Sequence, residues 1–333
     1  MGHHYGGVVS KILLSDGRQV VSETSLSEVI YYDNETEMMQ YVSAKTIVRP
    51  VKHGSSWFGH NYNMNIYRGC SHGCIYCDSR SDCYCIEGFD EVRAKEDCLN
   101  VIENDLKRKR NKGVVGTGAM SDPYNPHEKE LELTRGAMIL LDKYGFGASI
   151  TTKSSLIARD IDIFKRIRKH SPMVINVTVT TYDDELCRKI EPNVSVTSER
   201  FQAIRQLSDA GIFTGILMMP ILPFVNDTLD NMLSIVRKAK ECGARFIFPF
   251  FGTTTRAGSR EWYLRKLGEI SPDARNKHVS MYGDAYECPS PNHDELQKAF
   301  RAECDELGII YRMDKIIEEY KTLFKFQSTL SDY

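Results

Sequence analysis

The chain has 333 residues, 41% of them hydrophobic and 26% charged, with a formal net charge of −2. That is the profile of an ordinary globular protein, longer than one average domain yet within the range of barrel-type α/β folds built as one unit. No run of about 18 apolar residues marks a membrane span, and the balanced charge gives no global attraction to nucleic acid, leaving only a local basic groove for that purpose.

The N-terminus, Met1 to Gly7, lacks a basic segment followed by an apolar core, so no secretory signal is expected. Ten cysteines without an export signal imply a reducing, cytoplasmic setting in which thiols bind metal or stay free. Residues 1–60 read as an irregular or β-rich N-terminal extension, with strands expected at 18–22 and 46–48. From about residue 64 to 251, short apolar runs alternate with amphipathic stretches, the pattern of repeated βα units and a parallel sheet. Strands are expected near 64–68, 114–119, 147–152, 173–180, 213–219 and 245–251, with helices over 91–110, 128–144, 159–169, 198–210 and 227–241. Gly145, Gly211 and Gly243 follow three of these helices as C-terminal caps do. The run Val174-Ile175-Asn176-Val177-Thr178-Val179-Thr180 is β-branched enough for a buried parallel strand. Segment 252–293, with Pro272, Pro289 and Pro291, is expected to wrap the sheet. A final helix is expected from Asp294 to Leu307, then an edge strand over Ile309–Arg312.

Six strands predict an α/β fold, an open partial (β/α)6 barrel rather than a closed eight-fold one. Its core would span 61–255, with a C-terminal extension, 256–333, packing on it. Reactive groups should gather at the C-terminal ends of the strands.

Just after the first expected strand comes Tyr67-Arg68-Gly69-Cys70-Ser71-His72-Gly73-Cys74-Ile75-Tyr76-Cys77. Three thiolates on so tight a loop suit three irons of a [4Fe–4S] cube. Such clusters normally take four cysteines, so one iron would stay open to a ligand, as the open position of a catalytic zinc does. Gly69 and Gly73 allow the loop to fold sharply. The alternative is a zinc site closed by Cys83 or Cys85, although zinc loops usually present paired Cys-x2-Cys or Cys/His ligands. A fourth protein ligand of that kind, on zinc or on an iron–sulfur cluster, would make a non-catalytic binding module that senses metal or redox state.

The three-cysteine loop, with an aromatic residue before its last cysteine, resembles the radical S-adenosylmethionine (SAM) superfamily over roughly residues 60–255. Within it, Met120-Ser121-Asp122-Pro123-Tyr124, Thr151-Thr152-Lys153-Ser154, Ile190-Glu191-Pro192 and Pro220-Ile221-Leu222-Pro223 resemble the spore photoproduct lyase-like branch. The resemblance implies a [4Fe–4S] cluster on Cys70, Cys74 and Cys77 whose open iron is chelated by the methionyl group of SAM. Reductive cleavage of SAM would give a 5′-deoxyadenosyl radical for hydrogen abstraction. The protein's own share is position, redox tuning and exclusion of water.

Tyr76 matches the aromatic position that contacts the adenine, and counts with the three cysteines as catalytic. Ser121 and Lys153 match positions at the methionyl end, and a lysine at a strand's C-terminal end suits neutralisation of a carboxylate. Asn176 and Thr178 alternate with apolar neighbours and so share one face, where a polar pair suits ribose or carboxylate contacts. Arg200 opens the following helix, as either a bidentate clamp on the SAM carboxylate or a surface arginine. Asp122 would orient ligand groups or Lys153, or else cap a turn before Pro123. The cluster Lys107-Arg108-Lys109-Arg110 with Lys112, and Arg256 with Arg260, are the basic groups available for an anionic substrate. Cys288 and Cys304 read as structural thiols. The partners implied are a reductant such as flavodoxin or ferredoxin and a substrate of open identity, nucleic acid or nucleotide included, with no membrane.

The lyase of that branch uses a cysteine hydrogen donor three positions before the aspartate matched by Asp122, and a tyrosine directly after the third cluster cysteine. Here those positions hold Ala119 and Asp78, so the radical-generating half matches while the spore photoproduct reaction itself is not expected.

Overall fold

Hydrophobic pattern and strand order place an open α/β sheet at the centre of the molecule. The structure, a computed structural model, describes residues 39–51 and 57–323 with their side chains, and the backbone alone over 9–13, 19–23, 30–32 and 324–330. Six parallel strands run β1 (Tyr62–Met64), β2 (Val114–Thr117), β3 (Gly147–Thr152), β4 (Met173–Thr178), β5 (Thr214–Met218) and β6 (Phe246–Pro249). They lie side by side in chain order, with Val48–Pro50 antiparallel to β1, and β1 does not pair with β6. The result is the open partial (β/α)6 barrel expected. Crossovers are made by α1 (Cys98–Arg108), α2 (Leu133–Tyr144), α3 (Ile161–Ile167), α4 (Thr197–Asp209) and α5 (Leu229–Glu241).

Alternation along each strand sorts the core into two compartments. Ile150, Ile175, Val177, Ile216 and Met218 face the helices and pack with Ile102, Leu141, Ile204 and Ile235. The other face carries Val114, Val174, Phe213 and Phe246 near the strand N-termini, where Phe58, Ile316 and Tyr320 fill the barrel. Tyr320 Oη donates to the Phe58 carbonyl at 2.7 Å, fixing the plug. The inner face therefore stays free only toward the strands' C-terminal ends, through Thr151 and Thr178.

Several boundaries differ from expectation. The strand expected at 64–68 is split: Tyr62–Met64 joins the barrel, and Tyr67–Arg68 pairs antiparallel with Arg93–Lys95 in a second sheet. Arg93–Lys95 also shortens the helix expected over 91–110, which starts at Cys98 after Asp97, whose φ of 47° breaks the chain direction. The helix expected over 128–144 is cut at Glu132 (φ 48°) into Glu128–Leu131 and α2. Strands expected at 18–22 and 46–48 appear as Gln19–Glu23 and Val48–Pro50.

The segment 252–293 is more regular than a wrapping loop. It holds a hairpin pairing Gly252–Thr254 with Glu287–Pro289, and between them α6 (Ser259–Ile270) and α7 (Pro272–Tyr282). Beyond it, α8 (His293–Leu307) matches the expected helix but is not the last, because α9 (Met313–Leu330) follows. The edge strand at Ile309–Arg312 reduces to a single parallel bridge between Ile310 and Phe246. Among the described residues no helix is long and apolar enough to cross a membrane.

Candidate functional site

The cysteine loop leaves the Tyr67–Arg68 strand at Gly69, whose φ of 78° no other residue adopts cheaply. A Cβ there would stand 2.5 Å from the Glu91 carbonyl oxygen and 2.7 Å from that of Phe89. The loop is pinned by backbone bonds: Cys70 N donates to Phe89 O (2.8 Å), Ile75 N to Ile190 O (3.0 Å) and Cys77 N to Cys74 O (3.3 Å). All three cysteines reach one cavity of about 470 Å³ at the C-terminal ends of the strands. Tyr76 from the loop, Ser121 from the segment after β2, Lys153 from the end of β3 and Thr178 from the end of β4 share that wall.

Asp122 straps these pieces together. Its Oδ1 accepts from Tyr124 N (2.9 Å) and Thr152 Oγ1 (2.7 Å). Its Oδ2 accepts from Lys153 N (2.8 Å) and lies 3.5 Å from His72 Nδ1, so one carboxylate joins the ends of β2 and β3 to the cysteine loop. Ser121 Oγ donates to the Gly69 carbonyl at 2.5 Å, a second tie to the loop.

Burial pushes the Cys70 thiol up to about 11 and raises those of Cys74 and Cys77, with Lys153 pulling the latter two back. Burial alone would lower Lys153, but Cys74, Glu191 and Asp122 outweigh it, and the ammonium is kept charged. Its Nζ lies 5.7 Å from the centre of the Tyr76 ring. His72 is held toward its neutral form by burial.

Behind the wall lies a buried ion pair. Arg200 and Glu191 have fully buried side chains and approach to 2.5 Å. Burial opposes the Glu191 charge, yet Arg200 and Lys153 hold its carboxyl below the usual range. Tyr76 Oη donates to Glu191 Oε1. Arg200 also donates to Ser195 O (2.6 Å), Thr178 O (2.9 Å) and Cys187 Sγ (3.3 Å). The surface reading of Arg200 is thereby corrected: its guanidinium is buried and bound by four protein groups. The strand-to-helix geometry buries it because its donors complete the carbonyls at the end of β4.

Of the residues singled out in the sequence, Cys70, Cys74, Cys77, Tyr76, Ser121, Lys153 and Thr178 meet on one cavity, with Asp122 beside them. Asn176 shares the inner face with Thr178 but sits one layer deeper, its Nδ2 donating to Ser149 Oγ and Thr151 Oγ1, each at 3.3 Å. Cys83 and Cys85 are exposed and off the wall. Among the described residues no three His, Cys, Asp or Glu side chains converge on a point that a single ion would fill. Three cysteine thiols on one cavity wall are the donor chemistry that a [4Fe–4S] cluster takes.

The basic groups are not arranged around the cavity. Residues 107–112 precede β2 and so lie at the opposite, N-terminal end of the strands, where Lys109 covers the Tyr62 ring (5.6 Å) and Lys112 that of Phe146 (4.5 Å). Arg256 is 3.3 Å from Asp78 and Arg260 is 3.0 Å from Asp284. Cys288 and Cys304 are buried.

Sequence reasoning assigned no role to three residues. His72 carried no signal beyond its place between two cysteines. Glu191 lay inside a quoted string without a function. Trp262, whose Nε1 donates to the Cys74 carbonyl at 3.2 Å, had none beyond being one of two tryptophans.

The chain is 27% identical over 228 residues to an uncharacterized protein of Mycobacterium tuberculosis, covering 66% of this chain and 67% of that one. It is 33% identical over 189 residues to an uncharacterized protein of Methanocaldococcus jannaschii, covering 56% of this chain and 68% of the relative. Among solved structures, spore photoproduct lyase complexed with dinucleoside spore photoproduct shares the fold, with a TM-score of 0.56 at 14% identity over 81% of this chain and 80% of that one. A variant of that lyase with bound AdoMet and the same dinucleoside gives a TM-score of 0.52 at 14% identity, covering 76% of each chain. The sequence profile of the radical SAM superfamily matches residues 64–248, more than half of the chain and every strand of the barrel from the last residue of β1 to all but the end of β6. The chain belongs to the radical SAM superfamily.

Proposed function

We propose that this protein is a radical SAM enzyme of the reducing cytoplasm, with 61–255 as its catalytic core and 1–60 and 256–333 as flanking extensions. The observation that carries the reading is the meeting of three cysteine thiols with Lys153, Ser121 and Thr178 on one cavity at the strands' C-terminal ends. When bound, a [4Fe–4S] cluster and SAM supply a 5′-deoxyadenosyl radical for hydrogen abstraction from a substrate. Cys70, Cys74 and Cys77 would hold the cluster. The Lys153 ammonium, kept charged by its surroundings, would take the methionyl carboxylate as a compact cation. Ser121 Oγ donates its hydrogen to Gly69, which leaves its lone pairs to accept from the methionyl amine. Thr178, and Asn176 through the layer beneath, would orient the ribose side. Tyr76 would pack on the adenine, steadied by Glu191, and Arg200 would act as a positioning residue through that carboxylate.

The reaction is not that of spore photoproduct lyase. Ala119 and Met120 line the cavity where a hydrogen-donating thiol would be needed, and Asp78 is tied to Arg256. The substrate class, nucleic acid or nucleotide included, is open in this reading. Phosphate contacts would make binding fall linearly in log salt.

Anaerobic reconstitution is expected to load about four irons and four sulfides per chain, and dithionite with SAM to release 5′-deoxyadenosine. Cys77→Ala should abolish both. Cys83→Ala combined with Cys85→Ala should leave the iron and sulfide counts unchanged. A fully loaded sample that releases no nucleoside would remove the enzyme reading.

A further inference from the structure

The part of the cavity beyond the cysteine loop has two kinds of wall. Met120, Met219, Pro220 and Phe250 supply an apolar lining. The hairpin that pairs Gly252–Thr254 with Glu287–Pro289 supplies the other wall. Thr254 lies directly opposite Glu287 in its register, and directly opposed residues of an antiparallel pair share one face. The alternate positions, Thr253, Thr255 and Cys288, form the packed face: all three are buried, and Thr255 Oγ1 lies 3.7 Å from Cys288 Sγ. Thr254 and Glu287, both lining the cavity, therefore present a hydroxyl beside a carboxylate on the remaining face.

The other charges on the wall and at its mouth have partners. Asp122 accepts from Lys153 N, Thr152 Oγ1 and Tyr124 N, and the Lys153 ammonium faces Cys74, Glu191 and Asp122. Asp78 lies 3.3 Å from Arg256, whose Nη2 also donates to Tyr286 Oη at 2.6 Å. Arg260 is 3.0 Å from Asp284. Glu287 differs. It is exposed, and among the described residues no cation lies within ion-pair distance of it and no donor bonds its carboxylate. On an open surface such a carboxylate is ordinary, but beside an apolar wall it focuses a negative potential into the cavity. The lining residues include one lysine, Lys153, and no arginine, so a phosphate entering here would meet Glu287 without a free cation to offset it.

We infer that Glu287, with Thr254, determines substrate specificity, and that the substrate is an organic cation, a protonated amine or guanidinium on an apolar stem. Long basic side chains combine those two parts. The stem would pack on the apolar wall, while the charged head donates to the Glu287 carboxylate and the Thr254 hydroxyl accepts a further N–H. The inference rests on the proposed function and names the substrate class that reading leaves open.

The test titrates the reconstituted protein by anaerobic calorimetry with SAM present. Three probes are used: agmatine as a free organic cation, acetyl-Gly-Arg-Gly-amide as a cation carried on a peptide, and a thymidine dinucleotide as a phosphate. Agmatine or the peptide should bind saturably, and the tighter of the two identifies which source of cation the cavity takes. Glu287→Gln should weaken that binding by about tenfold, the strength of a hydrogen bond to a charged group. Thr254→Val should weaken it by a smaller factor, and Glu287→Lys should abolish it. The inference is overturned if neither cation binds the wild type, if Glu287→Gln binds it as tightly, or if the dinucleotide binds tightest of the three. Iron and sulfide counts on each variant guard against a folding defect. A wild type that loads no cluster, or that releases no 5′-deoxyadenosine with dithionite, would instead overturn the proposed function beneath it.

Discussion

The Glu191 carboxylate joins residues far apart in the chain: it accepts from Tyr76 in the cysteine loop and from Arg200 on α4, and it is among the groups that keep Lys153 charged. Removing one member of such a buried pair leaves the other charge uncompensated. Arg200→Met should therefore destabilise the metal-free protein by about 3–5 kcal/mol in urea denaturation, and adding Glu191→Gln should restore part of the loss. A change below about 1 kcal/mol would show that the pair does not hold the wall. At this scale the sequence is legible where ligands are close in the chain. Three cysteines within eight positions declare themselves by spacing. Glu191 does not, because its partner Tyr76 is 115 residues away and only the folded barrel brings them together. Arg200 follows the same logic, since a helix-start arginine looks alike in sequence whether it meets solvent or a buried carboxylate.

The ends of β2 and β3 carry Ser121, Asp122 and Lys153, and their spacing depends on Gly118. With φ at 98°, a Cβ there would fall 1.9 Å from the Thr151 carbonyl oxygen, a backbone atom that cannot turn away. Gly118→Ala should pry the two strand ends apart, costing several kcal/mol by thermal unfolding, about the upper range for single substitutions. Gly145→Ala, also at positive φ (71°) but with nothing within 4 Å, should cost only the left-handed backbone penalty of about 1–2 kcal/mol. Equal losses for the two would contradict the close approach. Strands were legible here because β-branched runs buried on both faces leave few alternatives. The pair α6 and α7 was not. Pro272 suggested a loop, yet it occupies the first turn of α7, where a missing N–H costs nothing. The buried positions of α7, Ala274 and His278, are too few to give an apolar stripe.

Across the whole molecule, two buried histidines outside the cysteine loop set an acid limit. Burial, helped by Lys321, lowers His60 to about 4, and burial with Arg260 lowers His278 to about 4. Both are neutral when folded, whereas the unfolded chain takes up protons near 6.5, so stability is full above pH 6.5 and falls as pH drops toward 4. Each histidine contributes up to about 3 kcal/mol to that loss. Urea midpoints should decline between pH 7 and 4.5, and His60→Gln with His278→Gln should flatten the decline; an unchanged slope in the variant would refute the assignment. The barrel as a whole was legible from its βα rhythm. The plug of Phe58, Ile316 and Tyr320 was not, since it joins the two ends of the chain. The central claim is an iron–sulfur cube held at three corners, with its fourth iron free for SAM. Electron paramagnetic resonance of the reduced, reconstituted protein tests it most directly. Adding SAM should shift the cluster spectrum in the wild type and equally in Cys83→Ala with Cys85→Ala. A spectrum indifferent to SAM, or a cluster lost with those two cysteines, would contradict the account.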